Sequence, residues 1–299
     1  MRYEVKLFPE SQGLKDERDD SLTIRMADDV YYLRPRYGFR HTLHNKIAEK
    51  LALYDDNYMF FIQLFDDLKD FFSRIQIDKP ENFETGLEPY WLNGFFPPSD
   101  AIALCGMLYQ YKPHFYLEIG SGNSTKFVRK FISDFQSETK IISIDPEPRA
   151  RIDELCDQVI RTPIEKVSLE QFEMLQENDI LFIDSSHRCL QNSDVTCIFL
   201  DILPRLQSGV IVHFHDIWWP EDYPDNCVGR LYNEQYLLAV LLLFSVGYDI
   251  LYSTSYVTLN PDLYKQFESR VSCYLTEICR SKRGGSLWIK LPPQSLEVI

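Results

Sequence analysis

The chain has 299 residues, of which 45% are hydrophobic and 25% are charged, which is ordinary for a globular protein with a substantial core. Its formal net charge of −14 argues against non-specific nucleic-acid binding, because phosphate repels an acidic surface. The longest apolar run, Leu237 to Phe244, is far shorter than the roughly 20 residues needed to span a bilayer. The N-terminus lacks the apolar run of a signal peptide, and the seven scattered cysteines, without a CxxC pair, favour free thiols in a reducing cytoplasm.

Residues 1–96 are expected to form an N-terminal extension that is largely helical. In its polar first part, Lys15–Asp20 is most simply interpreted as a solvated loop. Further on, apolar residues recur at steps of three and four, which places them on one helix face. They are Phe61, Leu64, Phe65, Leu68, Phe72 and Ile75. This face could pack on the rest of the chain or form a homodimer contact, and Gly86–Asp100, rich in Pro, Gly and aromatic residues, is expected to be a connecting loop.

Residues 97–299 alternate short apolar runs with helical patterns. The expected strands are His114–Gly120, Lys140–Asp145, Ile180–Ser186, Gly209–Asp216, Tyr248–Ser253 and Ser286–Leu291. The expected helices are Thr125–Phe135, Arg149–Asp157, Ser193–Leu206 and Leu231–Ser245. This alternation predicts an α/β domain with a mostly parallel sheet covered on both faces. In such sheets, ligands bind beyond the carboxyl ends of the strands, where the strand order reverses.

Polar residues follow two of these strands at the point where each ends. Asp184 and His187 come after one buried run, and His215 and Asp216 come after another. They are expected to project into one crevice at the edge of the sheet. Asp216 could instead cap a following turn. His213, two residues before His215, is expected to face the other way and to be a hydrogen-bonded core histidine.

The segment LEIGSGNST, Leu117–Thr125, joins the first of these strands to the first helix. Gly120 permits a tight turn, and Gly122 lets the backbone approach a ligand closely. Asn123 and Ser124 are able to cap the helix that follows. This loop therefore predicts a ligand site at the start of the helix.

Nearby residues decide which ligand the loop suits. Thr125 stands where a dinucleotide-binding fingerprint would place its third glycine. Glu118 precedes the turn, where a carboxylate would favour a ligand that carries an ammonium group. Asp145 ends the next strand and is suited to a ribose diol, although it could also cap the segment after Pro146.

Taken together, E-I-G-S-G-N-S-T, the strand that ends in Asp145, and D-S-S-H resemble the class I S-adenosylmethionine-dependent methyltransferases. More narrowly, the sequence is similar to the branch that includes sugar O-methyltransferases of natural-product and surface-glycan pathways. The resemblance covers about Pro97 to Leu291. It implies a Rossmann-like doubly wound sheet of seven strands whose last strand is antiparallel, and Gly284–Leu291 would supply that strand.

The resemblance also implies roles for individual residues. The cofactor S-adenosyl-L-methionine would be bound by Glu118, Gly120, Gly122, Asn123, Ser124 and Asp145, with Asp145 on the ribose and the others around the methionine part. Thr162–Glu165 would border the adenine. The acceptor would be a hydroxyl on a small molecule or glycan precursor.

Methylation of an alcohol requires a group that takes its proton, because a neutral alcohol is a poor nucleophile. His187 is suited to be this base, and in the related enzymes the matching histidine has that role. The resemblance makes Asp184, His215 and Asp216 candidate ligands of a divalent metal ion. His215 stands where the metal-using relatives tend to have a carboxylate, and imidazole suits zinc, iron or manganese better than magnesium.

The aromatic loop Ile217–Asn226 follows the strand that ends near His215. Its residues Trp218, Trp219 and Tyr223 could form a wall for the substrate or pack against the N-terminal extension. The favoured interpretation is a cytoplasmic S-adenosylmethionine-dependent O-methyltransferase. The alternatives are a nicotinamide-dependent oxidoreductase and a non-catalytic protein that binds the cofactor.

Overall fold

The computed structural model describes residues 22–25, 30–33, 43–79, 86–224, 227, 229–271 and 273–292. Side chains are not described for 22–25, 30–33, 273–274 and 281. The predicted loop Lys15–Asp20 lies outside the described residues.

The main structural element is a seven-stranded sheet. Its strands are β3 (Phe115–Ile119), β4 (Lys140–Ile144), β5 (Gln158–Ile160), β6 (Ile180–Ile183), β7 (Ile211–Phe214), β8 (Asp249–Ser253) and β9 (Leu287–Lys290). They lie in the order β5-β4-β3-β6-β7-β9-β8. All neighbours are parallel except at β9, which is antiparallel to both β7 and β8. The predicted Rossmann-like sheet with an antiparallel last strand is therefore confirmed, although β5 was not among the predicted apolar runs.

The strand order fixes where a ligand site forms. From β3 the chain moves outward to β4 and β5, and it then returns to add β6 and β7 on the other side of β3. The order reverses between β3 and β6, which leaves a crevice beyond their carboxyl ends. Apart from Phe115, all residues of β3 and β6 are buried, as expected for a sheet covered on both faces.

Helices cover the sheet on both sides. They are α4 (Pro98–Tyr111), α5 (Asn123–Phe135), α6 (Glu170–Glu173), α7 (Asp194–Cys197), α8 (Glu234–Phe244), α9 (Thr254–Leu259), α10 (Pro261–Arg270) and α11 (Cys273–Ser281). The helix α7 continues as a π-helical stretch over Ile198–Ile202. The predicted helix Arg149–Asp157 is wrong, because only a 3₁₀ turn, Asp153–Leu155, forms there. Five of its nine residues are charged, and only Ile152 and Leu155 are buried.

The described part of the N-terminal extension contains a small hairpin and three helices. The hairpin pairs β1 (Leu22–Arg25) with β2 (Val30–Leu33), and the helices are α1 (Asn45–Ala52), α2 (Asp55–Leu64) and α3 (Lys69–Ser73). A 3₁₀ turn, Phe65–Leu68, separates α2 from α3, so the predicted helical stripe spans two helices and a turn.

The apolar face of these helices packs on the rest of the chain. Phe61, Phe65 and Leu68 are buried, whereas Leu64 is only half-buried. Phe65 contacts Tyr252 of β8 edge-on, with ring centroids 5.8 Å apart. Burial of each such side chain stabilises the fold by about 1.5–3 kcal/mol. The extension and the sheet thus share one hydrophobic core, while the homodimer remains a prediction.

No helix in the described ranges is long and apolar enough to cross a membrane.

Candidate active site

A cavity of about 650 Å³ lies beyond the carboxyl ends of the central strands. At one end, the loops after β3, β4 and β5 supply Gly120, Ser121, Asp145 and residues 163–165. At the other end, the loops after β6 and β7 supply Asp184, His187, His215, Asp216 and Trp218, together with Arg230 and Tyr232. The crevice that the sequence predicts is thus present. Its volume is within the range that is usual for small-molecule sites.

Gly120 makes the turn between β3 and α5. Its φ of +79° is in the left-handed region, which favours glycine. A Cβ atom at this position would lie 1.9 Å from the backbone oxygen of Asp184. Only glycine therefore allows the loops after β3 and β6 to approach this closely, and the predicted tight turn is confirmed.

Asp145 joins the loops after β3 and β4. Its Oδ2 accepts a hydrogen bond from the backbone N–H of Ser121 at 2.8 Å, and its Oδ1 accepts one from Glu147 N–H at 2.8 Å. The carboxylate also lines the cavity and stays partly exposed to it. The structure therefore places Asp145 both where it organises the glycine loop and where a ligand can reach it.

Glu118 lies beneath the glycine loop and is fully buried. Its carboxylate accepts hydrogen bonds from the hydroxyl groups of Tyr116, at 3.0 Å, and of Ser124 and Thr125. Burial raises the pKa of Glu118 to about 7, against these hydrogen bonds, which lower it. These three hydrogen bonds occupy the carboxylate of Glu118, which therefore stabilises the glycine loop from beneath.

The expected capping of α5 by Asn123 and Ser124 is wrong. The N-cap residue is Gly122, whose N–H donates to Oγ1 of Thr125 at 3.1 Å. The Ser124 hydroxyl is occupied by Glu118. Nothing lies within 4 Å of the place where a Cβ atom on Gly122 would sit, so the space above the loop is open.

His187 and Asp184 meet at the other end of the cavity. The Nε2 atom of His187 lies 3.2 Å from Oδ1 of Asp184 and 3.5 Å from Oδ2 of Asp216. His187 and Asp216 both have left-handed backbone conformations, with φ of +60° and +52°. Such conformations are uncommon in non-glycine residues, and in the described chain they also occur at helix ends such as Lys112 and Gln136.

The other nitrogen of His187 contacts Glu234, the first residue of α8. Nδ1 lies 2.9 Å from Oε2 of Glu234, which is fully buried. The backbone N–H groups of Asn233 and Glu234 also donate to the carbonyl oxygen of His187, at 2.9 and 3.2 Å. The start of α8 therefore fixes both the ring and the backbone of His187. Glu234 was not among the residues predicted from the sequence, although an acidic residue at the start of the apolar helix EQYLLAVLLLF was a signal.

His215 has a similar buried partner in Asp100 of α4. Oδ2 of Asp100 lies 3.4 Å from Nε2 of His215 and accepts a hydrogen bond from Gly285 N–H at 3.0 Å. Oδ1 of Asp100 accepts hydrogen bonds from Thr254 Oγ1 at 2.7 Å and from Ser286 N–H at 3.1 Å. Asp100 thereby ties His215 to the start of β9. No local pattern in the sequence distinguishes Asp100, because its partners are more than a hundred residues away.

The charges of this cluster stabilise one another. Burial opposes protonation of His187, but Asp184 and Glu234 outweigh it and raise the pKa of His187 well above 6.5. Burial likewise opposes protonation of His215, yet the charge of Asp184 and its other acidic neighbours raise that pKa too. Both histidines in turn hold the pKa of Asp184 well below its ordinary value, against the effect of burial. The protein as it stands therefore favours imidazolium at both histidines near neutral pH.

His213 is a core residue, as predicted, but it does not face away from His215. It is fully buried, its Nε2 lies 2.8 Å from Ser286 Oγ, and its ring stacks on Phe182 at 3.8 Å. The rings of His213 and His215 are 5.8 Å apart. Residues two apart in a strand share one side of the sheet, which is why the predicted direction is wrong.

The three candidate metal ligands, Asp184, His215 and Asp216, come together in this cluster. Nδ1 of His215 lies 3.4 Å from Oδ1 of Asp184 and 3.8 Å from Oδ1 of Asp216. Across the part of the chain that the structure describes, no group of three or more His, Cys, Asp or Glu residues is arranged to hold a metal ion. As placed, these residues form an ion-paired cluster, and their role as ligands stays a prediction.

The three aromatic residues of the loop after β7 do not share one role. Trp218 lines the cavity. Trp219 is buried, its Nε1 donates to the backbone oxygen of Gln235 at 2.9 Å, and its ring contacts His44 of the N-terminal extension at 5.0 Å. Tyr223 is buried too, and its hydroxyl accepts a hydrogen bond from Gln235 N–H at 3.0 Å. Only Trp218 is therefore in place to contact a ligand.

Comparison with known proteins agrees with the location of this site. Residues 117–217 match the model of a family described as "Methyltransferase domain". This segment runs from β3 to the residue after Asp216, and it thus includes the glycine loop, Asp145, Asp184 and His187. About a third of the chain is therefore similar to methyltransferase domains.

Two individual proteins are also similar. An uncharacterized protein of Archaeoglobus fulgidus is 35% identical over 118 residues, which are 34% of this chain and 50% of that protein. The chain thus matches about half the length of this relative. The solved structure of the plantazolicin methyltransferase BpumL in complex with SAH has a TM-score of 0.40 at 13% identity, over 65% of this chain and 85% of that chain.

Proposed function

We propose that this protein is an S-adenosylmethionine-dependent methyltransferase that acts on a hydroxyl group of a small molecule or glycan precursor. The observation that carries this proposal is a single cavity lined by the glycine loop, Asp145 and His187. One end offers a cofactor site at the reversal of strand order, and the other offers a base. The match of residues 117–217 to methyltransferase domains supports the same interpretation.

The cofactor fits the end of the cavity near β3 and β4. Asp145 is partly exposed there and has the carboxylate oxygens that bind a ribose diol. Gly122 leaves open space above the start of α5, and residues 163–165 line the place expected for the adenine. When bound, S-adenosylmethionine would supply an electrophilic methyl group on its sulfonium.

His187 is the base in this proposal. A hydroxyl placed at Nε2 would give its proton to the ring, which would make its oxygen a better nucleophile toward the methyl group that the bound cofactor would supply. Glu234 holds the ring through Nδ1, which leaves Nε2, beside Asp184 and Asp216, as the nitrogen for the acceptor. A buried carboxylate on the far nitrogen of a histidine orients the ring and stabilises the imidazolium that forms.

The charge state of His187 makes the proposed reaction pH-dependent. A base must be neutral before it accepts a proton, whereas Asp184 and Glu234 favour the charged ring. The rate should therefore rise with pH through a pKa above 6.5. A positive sulfonium beside the ring would lower this pKa, because like charges repel.

The metal ion is a separate part of the proposal, and no step above depends on it. Dialysis against a chelator tests whether Asp184, His215 and Asp216 bind one. Loss of activity that one divalent ion restores, and that Asp216→Asn reproduces, would assign them as ligands. Activity that survives chelation would leave them as ion-pair partners of His187.

A binding experiment tests the cofactor directly. S-adenosylhomocysteine at a hundredfold excess over its dissociation constant should stabilise the protein by about 2.7 kcal/mol. NAD should leave the melting temperature unchanged. A shift with NAD and none with S-adenosylhomocysteine would favour an oxidoreductase, and cofactor binding without methyl transfer to any hydroxylated acceptor would favour a binding protein.

A further inference from the structure

The arginines of this protein divide into two groups. The structure describes eleven arginine side chains, and eight of them form an ion pair with a carboxylate. Among the described residues, Arg149, Arg188 and Arg230 have no such partner. Arg149 and Arg230 line the cavity, and Arg188 donates from Nε to the backbone oxygen of Arg230 at 2.7 Å. Of the eleven described arginines, those without an acidic partner therefore lie at the cavity and its border, in a chain of net charge −14.

Two of these arginines lie beside the proposed base. The guanidinium carbons of Arg188 and Arg230 are 5.9 and 5.8 Å from the ring centroid of Tyr232. An N–H of Arg230 also donates to the Tyr232 hydroxyl at 3.2 Å. The Tyr232 ring in turn lies 4.7 Å from the ring of His187. Two guanidinium groups therefore border the end of the cavity where the acceptor hydroxyl would bind.

The acidic side chains at this end are already engaged. Asp184 and Asp216 lie against the imidazole of His187. Asp194 accepts hydrogen bonds from the backbone N–H and the hydroxyl of Ser186, both at 2.7 Å. A ligand that enters here meets carboxylates that already have partners and two guanidinium groups that form no ion pair with a described carboxylate.

We infer that the methyl acceptor carries an oxyanion, a phosphate or a carboxylate, which Arg230 and Arg188 bind while its hydroxyl lies at Nε2 of His187. The guanidinium fork matches the oxygens of either group and binds them with two parallel hydrogen bonds. The inference rests on the proposed function, because it assigns the acceptor to this end of the cavity. It narrows the acceptor from any hydroxylated molecule to an anionic one.

Titration with simple anions tests this inference. Phenyl phosphate and benzoate are titrated calorimetrically into the protein, both with and without saturating S-adenosylhomocysteine. We expect at least one of them to bind, and the one that binds more tightly identifies the type of oxyanion. Arg230→Gln should weaken this binding by about tenfold or more, because a charge-assisted hydrogen bond is lost. Arg230→Lys keeps the charge but loses the fork, so its affinity should be intermediate.

Arg205→Gln is the matched control. Arg205 ends the 3₁₀ turn Leu203–Arg205, which precedes β7 at the opposite edge of the sheet from the cavity, and it pairs with Glu173. Its substitution therefore removes the same charge without changing the cavity. Binding of neither anion to the wild-type protein, or equal affinities in Arg230→Gln and Arg205→Gln, would overturn the inference. The titration without S-adenosylhomocysteine distinguishes a failure of this inference from a failure of the proposed function. The anion can bind there even if the protein does not bind the cofactor.

Discussion

The two ends of the cavity differ in how the chain holds their residues. At the β3–β4 end, the loop is held by backbone hydrogen bonds to Asp145 and by neutral hydroxyls on the buried Glu118. At the β6–β7 end, His187 is held by ion pairs, and both His187 and Asp216 have left-handed backbones. The first end is thus held mainly by hydrogen bonds, whereas the second is held mainly by ion pairs. Mutations at the two ends should therefore have separable effects.

The largest expected effect is on turnover, at the charged end. His187→Ala should lower the rate of methyl transfer by about 10²–10⁴-fold, which is the usual contribution of a general base. The affinity for S-adenosylhomocysteine should stay nearly unchanged, because the base is used only in the chemical step. Single-turnover kinetics and calorimetry measure the two quantities. His114→Ala, an exposed histidine at the other edge of the sheet, is the control, and full activity in His187→Ala would refute the mechanism.

The glycine loop should respond mainly in stability and binding. Gly120→Ala should lower the free energy of unfolding by about 1–3 kcal/mol from backbone strain, with more from overlap with the Asp184 carbonyl. Gly122→Ala should change stability little, since a Cβ atom there meets open space, but it should weaken S-adenosylhomocysteine binding if the cofactor occupies that space. Chemical denaturation and calorimetry compare the pair. Equal stability of the two variants would contradict the geometry.

Asp145→Ala should weaken S-adenosylhomocysteine binding by about tenfold to a hundredfold, the range of a hydrogen bond to a charged group. It also removes the acceptors of Ser121 N–H and Glu147 N–H. Asp145→Asn keeps one oxygen and should lose less affinity. The turnover of saturated enzyme should fall little in either variant, and a loss of turnover as large as in His187→Ala would mean that the two ends are not separable.

The smallest expected effect is a change in the pH profile. Neutral His187 is the active form, so the rate should rise with pH through a midpoint above 6.5. Glu234→Gln removes a charge that favours the imidazolium, and the midpoint should move to lower pH. A merely structural role for Glu234 would change the maximal rate and leave the midpoint in place. Rate measurements from pH 5 to 10 distinguish these outcomes.

The sheet and the site position could be predicted because they depend on local patterns. An apolar run between two helical segments, such as Lys140–Ile144, predicts a strand. The polar residues that follow it are then expected at the carboxyl edge of the sheet. The same logic found Asp184, His187, His215 and Asp216. It was wrong for Arg149–Asp157, which was predicted as a helix and forms only a 3₁₀ turn, Asp153–Leu155.

By itself, the sequence determined the fold class, the glycine turn and the residues that end the strands, since each depends on neighbours a few positions away. Only the tertiary structure decided which partners these residues have. Glu234 reaches His187 from 47 positions along the chain, and Asp100 reaches Ser286 from 186. Long-range contacts of this kind, from Glu234 to His187 and from Asp100 to His215, favour the charged form of both histidines. They arise from the packing of α4 and α8 on the sheet, which no periodicity in the sequence records.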